Sequence, residues 1–282
     1  MKTLIIVVFL IVVLAGCSTI PTAAPTQAPE QTIDVEAPAG MVYIPAGEFA
    51  MGCDPAHNGG FSCIADALPL HMIILDAYFI DQYEVTTIQY AECVAADGCE
   101  NPSRTNSATR ESYFANPEFD NYPVIFVTWS DAAAYCAWAG KRLPSEAEWE
   151  KAACGSEVKA YPWGDGDPAC KLANSFNNPD GSACTGDTSA VGSYPEGNSE
   201  YGVADMTGNV WEWVADWYSG TYYAESPDVN PPGPEGSSNK VLRGGAWSSK
   251  WPQLLTGNRT FDPNFHSSND LGFRCAVSVD GD

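Results

Sequence analysis

Residues 201–217 read YGVADMTGNVWEWVADW, and the rest of the chain is organised around them. Three tryptophans (Trp211, Trp213, Trp217) stand among three acids (Asp205, Glu212, Asp216), with Gly202 and Gly208 where the backbone must turn. Indoles are bulky, usually buried, and need a partner for the N–H. Asp205 and Glu212 cannot be buried alone, because an isolated carboxylate needs a cation or several donors. In an extended segment alternate residues share a face. Gly208, Val210 and Glu212 then fall on one side, and Trp211 and Trp213 on the other. Two carboxylates with backbone carbonyls between them suit a hard cation with oxygen ligands, calcium first. The competing reading is a Trp-rich core turn with solvated acids. No EF-hand pattern is present, and spacing alone does not separate the two.

The chain has 282 residues, with 25 Gly and 21 Pro, which suits one large domain with many turns and long loops. A net charge of −23 argues against nucleic acid, which demands clustered Lys and Arg. Solubility explains the acidity most simply, in a soluble extracytoplasmic domain.

Residues 1–16 read as an export signal. Lys2 is the basic start, and residues 4–14 are an almost unbroken apolar run, too short for an ordinary span of roughly 20 residues. The run leads into Leu14-Ala15-Gly16-Cys17, which resembles the bacterial lipoprotein box, in which the cysteine is acylated and becomes the new N-terminus. Lipidation at Cys17 would tether the domain to the extracytoplasmic face of a bacterial membrane. Residues 17–39, rich in Pro, Ala and Thr, are a spacer, and residues 40–279 form the domain.

Export permits disulfides. Nine cysteines remain beyond Cys17, so at least one is unpaired. Cys53 with Cys63, Cys93 with Cys99, and Cys170 with Cys184 each bracket a short loop and are plausible local staples. Cys136, Cys154 and Cys275 are left over. No C-x-x-C pair points to a metal cluster.

Residues 41–52, MVYIPAGEFAMG, read as strand and turn, and residues 71–85 are β-prone. Residues 86–96 suit a short helix capped by Thr86 or Thr87. Residues 100–121 read as a long polar surface loop. Residues 123–127, PVIFV, suit a buried strand. Thr128 then caps a helix, with Asp131 three residues on, and Gly140 ends it. Ser145-Glu146-Ala147-Glu148 is a capping box that opens another helix, and capping is preferred to catalysis for these acids. Trp138 and Trp149 are expected to anchor both helices in the core.

Residues 123–153 (PVIFVTWSDAAAYCAWAGKRLPSEAEWEKAA), then YPWGDG, GNVWEW, VLRGGAW and LGFRC, come in the order seen in the formylglycine-generating enzyme, or sulfatase-modifying factor, family. MVYIPAGEFAMG matches too, and the resemblance covers roughly residues 40–277. It implies a C-type-lectin-like α+β domain with little regular secondary structure, stabilised by calcium and disulfides. It implies one calcium site at Asp205, Gly208, Val210 and Glu212. A second would use Asn174, the Ser175 carbonyl, Asp187 and the Ser189 carbonyl. It pairs Cys136 with Cys275 and leaves Cys154 as the odd thiol.

The departure from the family concerns its chemistry. Formylglycine-generating enzymes hold copper(I) through two cysteines just after the Gly-Gly of this segment, and copper(I) prefers thiolates. Here no cysteine lies between Gly245 and Cys275; Ser248 and Ser249 stand near the first expected position, and Ala246 replaces the serine after Gly-Gly. Copper is therefore not expected. The reading preferred is a non-oxidase binding or structural member. Its groove would be lined by Trp211, Trp247, Trp251 and Arg259, suiting a peptide or a glycan. The alternative is a true oxidase acting on a Cys-x-Pro-x-Arg segment of a sulfatase, with copper ligands from elsewhere. A branch that forms carbon–sulfur bonds with iron and histidines ranks last, since only His57, His71 and His266 are present.

Overall fold

The computed structural model describes residues 36–176 and 182–279. The leader, Cys17 and most of the linker lie outside the described residues. The strands are β1 (Met41–Ile44), β2 (Gly47–Met51), β3 (His71–Leu75), β4 (Tyr78–Asp81), β5 (Trp211–Trp217), β6 (Asn239–Arg243), β7 (Thr260–Pro263), β8 (Leu271–Phe273) and β9 (Ala276–Ser278). The helices are α1 (Thr87–Ala95), α2 (Trp129–Trp138) and α3 (Glu146–Cys154). These strands form sheets in the orders β1-β4-β9, β2-β3 and β7-β6-β5-β8. The fold is a mixed α+β one with few helices, as expected.

Each helix starts where its local chemistry dictates. Thr86, Thr128 and Ser145 each close a reciprocal capping box with the residue three positions on: Gln89, Asp131 and Glu148. Gly140, at φ 71°, follows the end of α2.

β5 is the wall between two cores. Trp211 and Trp213 pack on one side with Val127, Cys136, Phe273 and Cys275. Val214 packs on the other with Trp149, Met206 and Val241. The expected alternation of this strand is thus observed. Parallel pairing to β8 sets Trp211 opposite Leu271 and Glu212 opposite Gly272.

The disulfides are Cys53–Cys63, Cys93–Cys99, Cys136–Cys275 and Cys170–Cys184, with Cys154 free and buried. Such a set marks a protein of an oxidising, extracytoplasmic compartment. No helix among the described residues is long and apolar enough to cross a membrane.

Three expectations are corrected. Residues 123–127 are all buried but form no strand beyond a single bridge at Pro123. Phe126, at φ 60°, breaks the extended backbone, and its N–H bonds to the Ser268 carbonyl. Trp138 is 43% exposed rather than a core anchor. Its ring lies against Gly98, where an added Cβ would come within 2.3 Å of it. The polar loop 100–121 is not wholly at the surface, because Tyr113, Phe114 and Phe119 turn inward.

Candidate functional site

Glu212 is fully buried, and both of its oxygens are taken. Arg274 Nε donates to Oε2 and Nη2 to Oε1, each at 2.7 Å, and the Trp149 indole donates to Oε2 at 2.9 Å. Asp205 accepts from the Gly192 N–H at 2.6 Å. Glu84, also buried, accepts from the Asn209 side-chain amide at 3.1 and 3.2 Å. Burial lifts the Asp205 pKa to about 6, against the pull of the Gly192 N–H and Arg274. Burial, and then the charge of Asp205, push Glu84 well above the usual carboxylate range. Three buried carboxylates therefore face one guanidinium, an excess of negative charge that a hard cation would relieve. Among the described residues no three His, Cys, Asp or Glu groups converge as metal ligands. An ion here would rely on one or two of these carboxylates with backbone carbonyls. Glu212 is already satisfied by Arg274 and Trp149, so an ion here would draw chiefly on Asp205 and backbone carbonyls, the hard oxygen donors that calcium prefers.

The second expected set packs directly onto the first. The Asn209 N–H donates to the Asn174 carbonyl at 2.9 Å. Gly208, at φ 82°, lies so close that a Cβ would sit 2.3 Å from that carbonyl. Only glycine fits here. This second set does not fit an ion. Asp187 Oδ2 accepts from the Ser107 and Thr109 hydroxyls and the Thr109 N–H, with Arg110 at 3.2 Å, while Oδ1 accepts from the Thr188 N–H. Burial pushes Asp187 upward, but the bonds from Ser107 and Thr109 outweigh it and hold its pKa below the ordinary value. The Asn174 oxygen accepts from Thr185, and the Ser175 carbonyl from the Cys184 N–H. Donors occupy the places that calcium would need.

The expected groove is only partly assembled. Trp211 lines a cavity of about 320 Å³ together with Gln253, Phe261, Asp262, His266 and Asp270. Trp247 is half-buried, and its indole donates to the Asn269 carbonyl at 3.2 Å. Trp251 packs instead against a separate cluster containing Tyr161, Leu254 and Leu255. Arg259, expected on the groove, is 2% exposed. Its Nε and Nη2 grip Glu146 at 2.8 and 2.6 Å, and its guanidinium lies 4.2 Å from the Tyr223 ring centroid. Glu146 also meets Arg243 at 3.4 Å, and Arg243 pairs with Glu150. The inner face of α3 is thus an ion-paired core, not a binding surface. A larger cavity, about 460 Å³ beside Arg142, Glu148, Asn230 and Pro231, holds none of the four residues expected to line the groove.

Sequence reasoning missed Asp262, His266 and Asp270. Asp270 immediately precedes β8, and its carbonyl accepts the Trp211 N–H at 2.8 Å. Nothing local in the sequence announces a parallel pairing between segments so far apart.

At the position of the family's copper thiolates, the Ala246 N–H donates to the Ser249 hydroxyl at 3.0 Å, and Ser248 donates to Asp270 at 2.6 Å. Cys154, the last residue of α3, is walled into the core, and burial raises its thiol pKa well above the usual value. A protonated, enclosed thiol is neither a nucleophile nor a metal ligand. The residues present do not fit a copper(I) dithiolate.

Asp216 caps the buried network by accepting the Glu146 N–H at 2.7 Å. Burial, and then the charge of Glu146, raise its pKa from 3.8 to about 7. Because folding raises this pKa, the folded chain is favoured with the proton on. That stability is whole below about pH 4 and is lost as pH rises through about 7. Asp216→Asn retains an acceptor for the Glu146 N–H without the charge. Urea denaturation should therefore show the variant losing less stability than the parent between pH 4.5 and 8.

Comparison with known proteins accords with this geometry. The family described as "FGE-sulfatase: Sulfatase-modifying factor enzyme 1-like domain" matches residues 26–279. A "Formylglycine-generating enzyme" of Streptomyces coelicolor is 35% identical, covering 86% of this chain and 90% of that protein. A "Serine/threonine-protein kinase Pkn1" of Chlamydia trachomatis is 36% identical over 85% of this chain, which spans 38% of that protein's length. Among solved structures, PvdO from Pseudomonas aeruginosa superposes with a TM-score of 0.68 at 30% identity, covering 84% of this chain and 93% of that one. With a family match over residues 26–279 and a relative 35% identical over most of both chains, the chain belongs to the sulfatase-modifying factor, or formylglycine-generating-enzyme-like, domain family.

Proposed function

We propose that this chain is a non-oxidase member of its family, a binding domain carried on a lipid-anchored protein at the extracytoplasmic face of a membrane. The observation that carries the reading is the replacement of the copper thiolates. No cysteine lies between Gly245 and Cys275, Ser248 and Ser249 stand near the first expected ligand position, and the free thiol of Cys154 is enclosed elsewhere. A hydroxyl does not substitute for a thiolate on copper(I). Fold alone does not supply function, and the relatives' names span oxidase and kinase. The similarity to formylglycine-generating enzymes over nearly the whole of their length favours a second reading, in which a sulfatase cysteine in a Cys-x-Pro-x-Arg segment is oxidised to formylglycine. The two readings separate on turnover. The disulfide-intact chain from Ser18 onward, given copper(I), oxygen and a Cys-x-Pro-x-Arg peptide, should leave the cysteine unchanged by mass spectrometry while an active formylglycine-generating enzyme converts it. Conversion would establish the second reading.

A structural calcium ion at Asp205 and Glu212 belongs to this proposal, supported by the excess of buried carboxylates around Arg274. An ion bound only to the folded chain, present at about 100 times its dissociation constant, adds roughly 2.7 kcal/mol. Calcium should therefore raise the melting temperature of the parent by several degrees over chelator. Asp205→Asn should shrink that difference. It is a cleaner variant than Glu212→Ala, which would also strand Arg274. Identical parent melting curves with calcium and with chelator would remove the ion from the account.

A further inference from the structure

The outer face of β3 carries an apolar stripe that points to solvent. Ile73 and Leu75 turn into the core, while Leu70, Met72 and Ile74, each two residues from the next, are exposed. A sheet with one face on the core ordinarily sets polar residues on the other. Ile74 carries the stripe sideways, since it bridges Val229, which is 53% exposed. Across the ladder Ala50 stands opposite Met72 and Glu48 opposite Ile74. Two exposed acids, Glu48 and Asp76, therefore border the apolar residues. Asp76 also lines the cavity of about 460 Å³ with Glu148, Asn230 and Pro231. The cation of that cavity, Arg142, is already held by both oxygens of Glu148 at 2.7 Å. The segments that build the stripe lie within residues 36–103 and 218–239, which contain no Lys or Arg. Single exposed apolar residues are ordinary, but a contiguous set rimmed by charge marks an interaction surface.

We propose that this face docks a basic amphipathic helix of a partner protein. Its apolar side would lie on Met72, Ile74 and Val229, and its flanking lysines or arginines would pair with Glu48 and Asp76. Charge complementarity selects this occupant. A second copy would set Glu48 and Asp76 against like charges, and a net charge of −23 on each chain opposes the encounter. The linker, residues 18–35, holds no Lys or Arg and adds Glu30 and Asp34. Anionic lipid headgroups meet the same repulsion. An added strand is disfavoured because Ile74 has both backbone groups taken: its N–H donates to the Asp228 carbonyl at 2.7 Å and its carbonyl accepts the Asn230 N–H at 2.9 Å. The face is read through side chains. Alternate residues of a strand are about 6.6 Å apart, and residues four apart on a helix rise about 6 Å, so successive apolar residues of one helix meet successive members of the stripe. The pliable Met72 thioether adapts to the remaining mismatch. This surface shares no residue with the cavity beside Trp211, and the inference goes beyond the reading above without resting on it.

Met72 reports on the face directly. It is 52% exposed, whereas Met41, Met51 and Met206 are buried, so brief hydrogen peroxide treatment converts Met72 first to its sulfoxide. Three labelled peptides serve as probes: a leucine–lysine helix with one apolar face, its leucine–glutamate counterpart, and a leucine–lysine scramble without such a face. Fluorescence anisotropy at about 0.15 M salt should show the first binding the unmodified chain. Mass spectrometry should show it slowing oxidation of Met72. Met72→Gln and Ile74→Thr keep the charge and remove apolar contact, so each should weaken binding by roughly tenfold. Ile88→Thr makes a like change on exposed α1 and should alter little, which separates the stripe from general acidity. Equal binding of the glutamate or scrambled peptide, equal effects of the three substitutions, or no binding at about 1 mM would overturn the proposal. So would slower Met72 oxidation on concentrating the chain alone, which would assign the face to a second copy. Protection by phosphatidylcholine vesicles without peptide would likewise overturn it and assign the face to a lipid surface. The oxidation measurement uses the unmodified chain and so decides even if a variant misfolds. Turnover of a Cys-x-Pro-x-Arg peptide would sink the non-oxidase reading and leave this one standing.

Discussion

Glu212 and Arg274 hold each other at the centre of the molecule, both fully buried. The guanidinium does more than neutralise one carboxylate. Nη1 reaches the carbonyls of Asp81 and Gln82 at 3.2 and 3.3 Å, and Nη2 reaches that of Ala204 at 3.0 Å. Trp149 of α3 closes on the same carboxylate. One ion pair thus joins β5, the end of β4, the turn before β5 and the third helix. The next residue, Cys275, donates its N–H to Asp81 and is disulfide-bonded to Cys136 of α2. Removing one partner of such a pair leaves an uncompensated buried charge and costs about 3–5 kcal/mol. With so few residues in helices and strands, such side-chain ties stand in for continuous backbone ladders.

The same device recurs beside α3, where Glu146 and Glu150 meet Arg243 and Arg259 directly in the core. The aromatic faces of Trp149 and Tyr223 lie against those guanidiniums. This is why α3 is buried along its whole length despite three glutamates and a lysine. Lys240 follows the pattern, held 3.9 and 3.8 Å from the ring centroids of Trp129 and Trp217.

What could be read from the sequence was local or periodic. A hydroxyl three residues before Gln, Asp or Glu marks a helix start because both hydrogen bonds lie within one turn, so the caps at Thr86, Thr128 and Ser145 were legible. The alternation of Trp211, Glu212, Trp213 and Val214 was legible because a strand has two faces. The short-range disulfides could be read from bracketed loops, whereas Cys136–Cys275 came only with the family resemblance. What escaped was long-range. Arg259 read as lining the ligand groove because its partner Glu146 lies 113 residues away. Glu146 read as part of a cap, but the capping side chain is Glu148. Asp187 read as a metal ligand because its hydroxyl donors come from residues 107 and 109, in a loop taken as surface. Arg259 and Asp187 were each assigned to an external ligand, although partners far along the chain satisfy both charges internally.

The account turns on a scaffold retained while its redox ligands are gone. The most direct measurement is copper(I) affinity of the disulfide-intact chain, by competition with a chromogenic copper(I) chelator under ascorbate, which leaves disulfides closed. The account predicts that the chelator keeps all the copper at every protein concentration, as for a chain whose free thiol is enclosed and whose residues after Gly245 carry hydroxyls in place of thiolates. Withdrawal of one equivalent of copper(I) by the folded protein would contradict it and would mean that this family member has built its metal site from other residues.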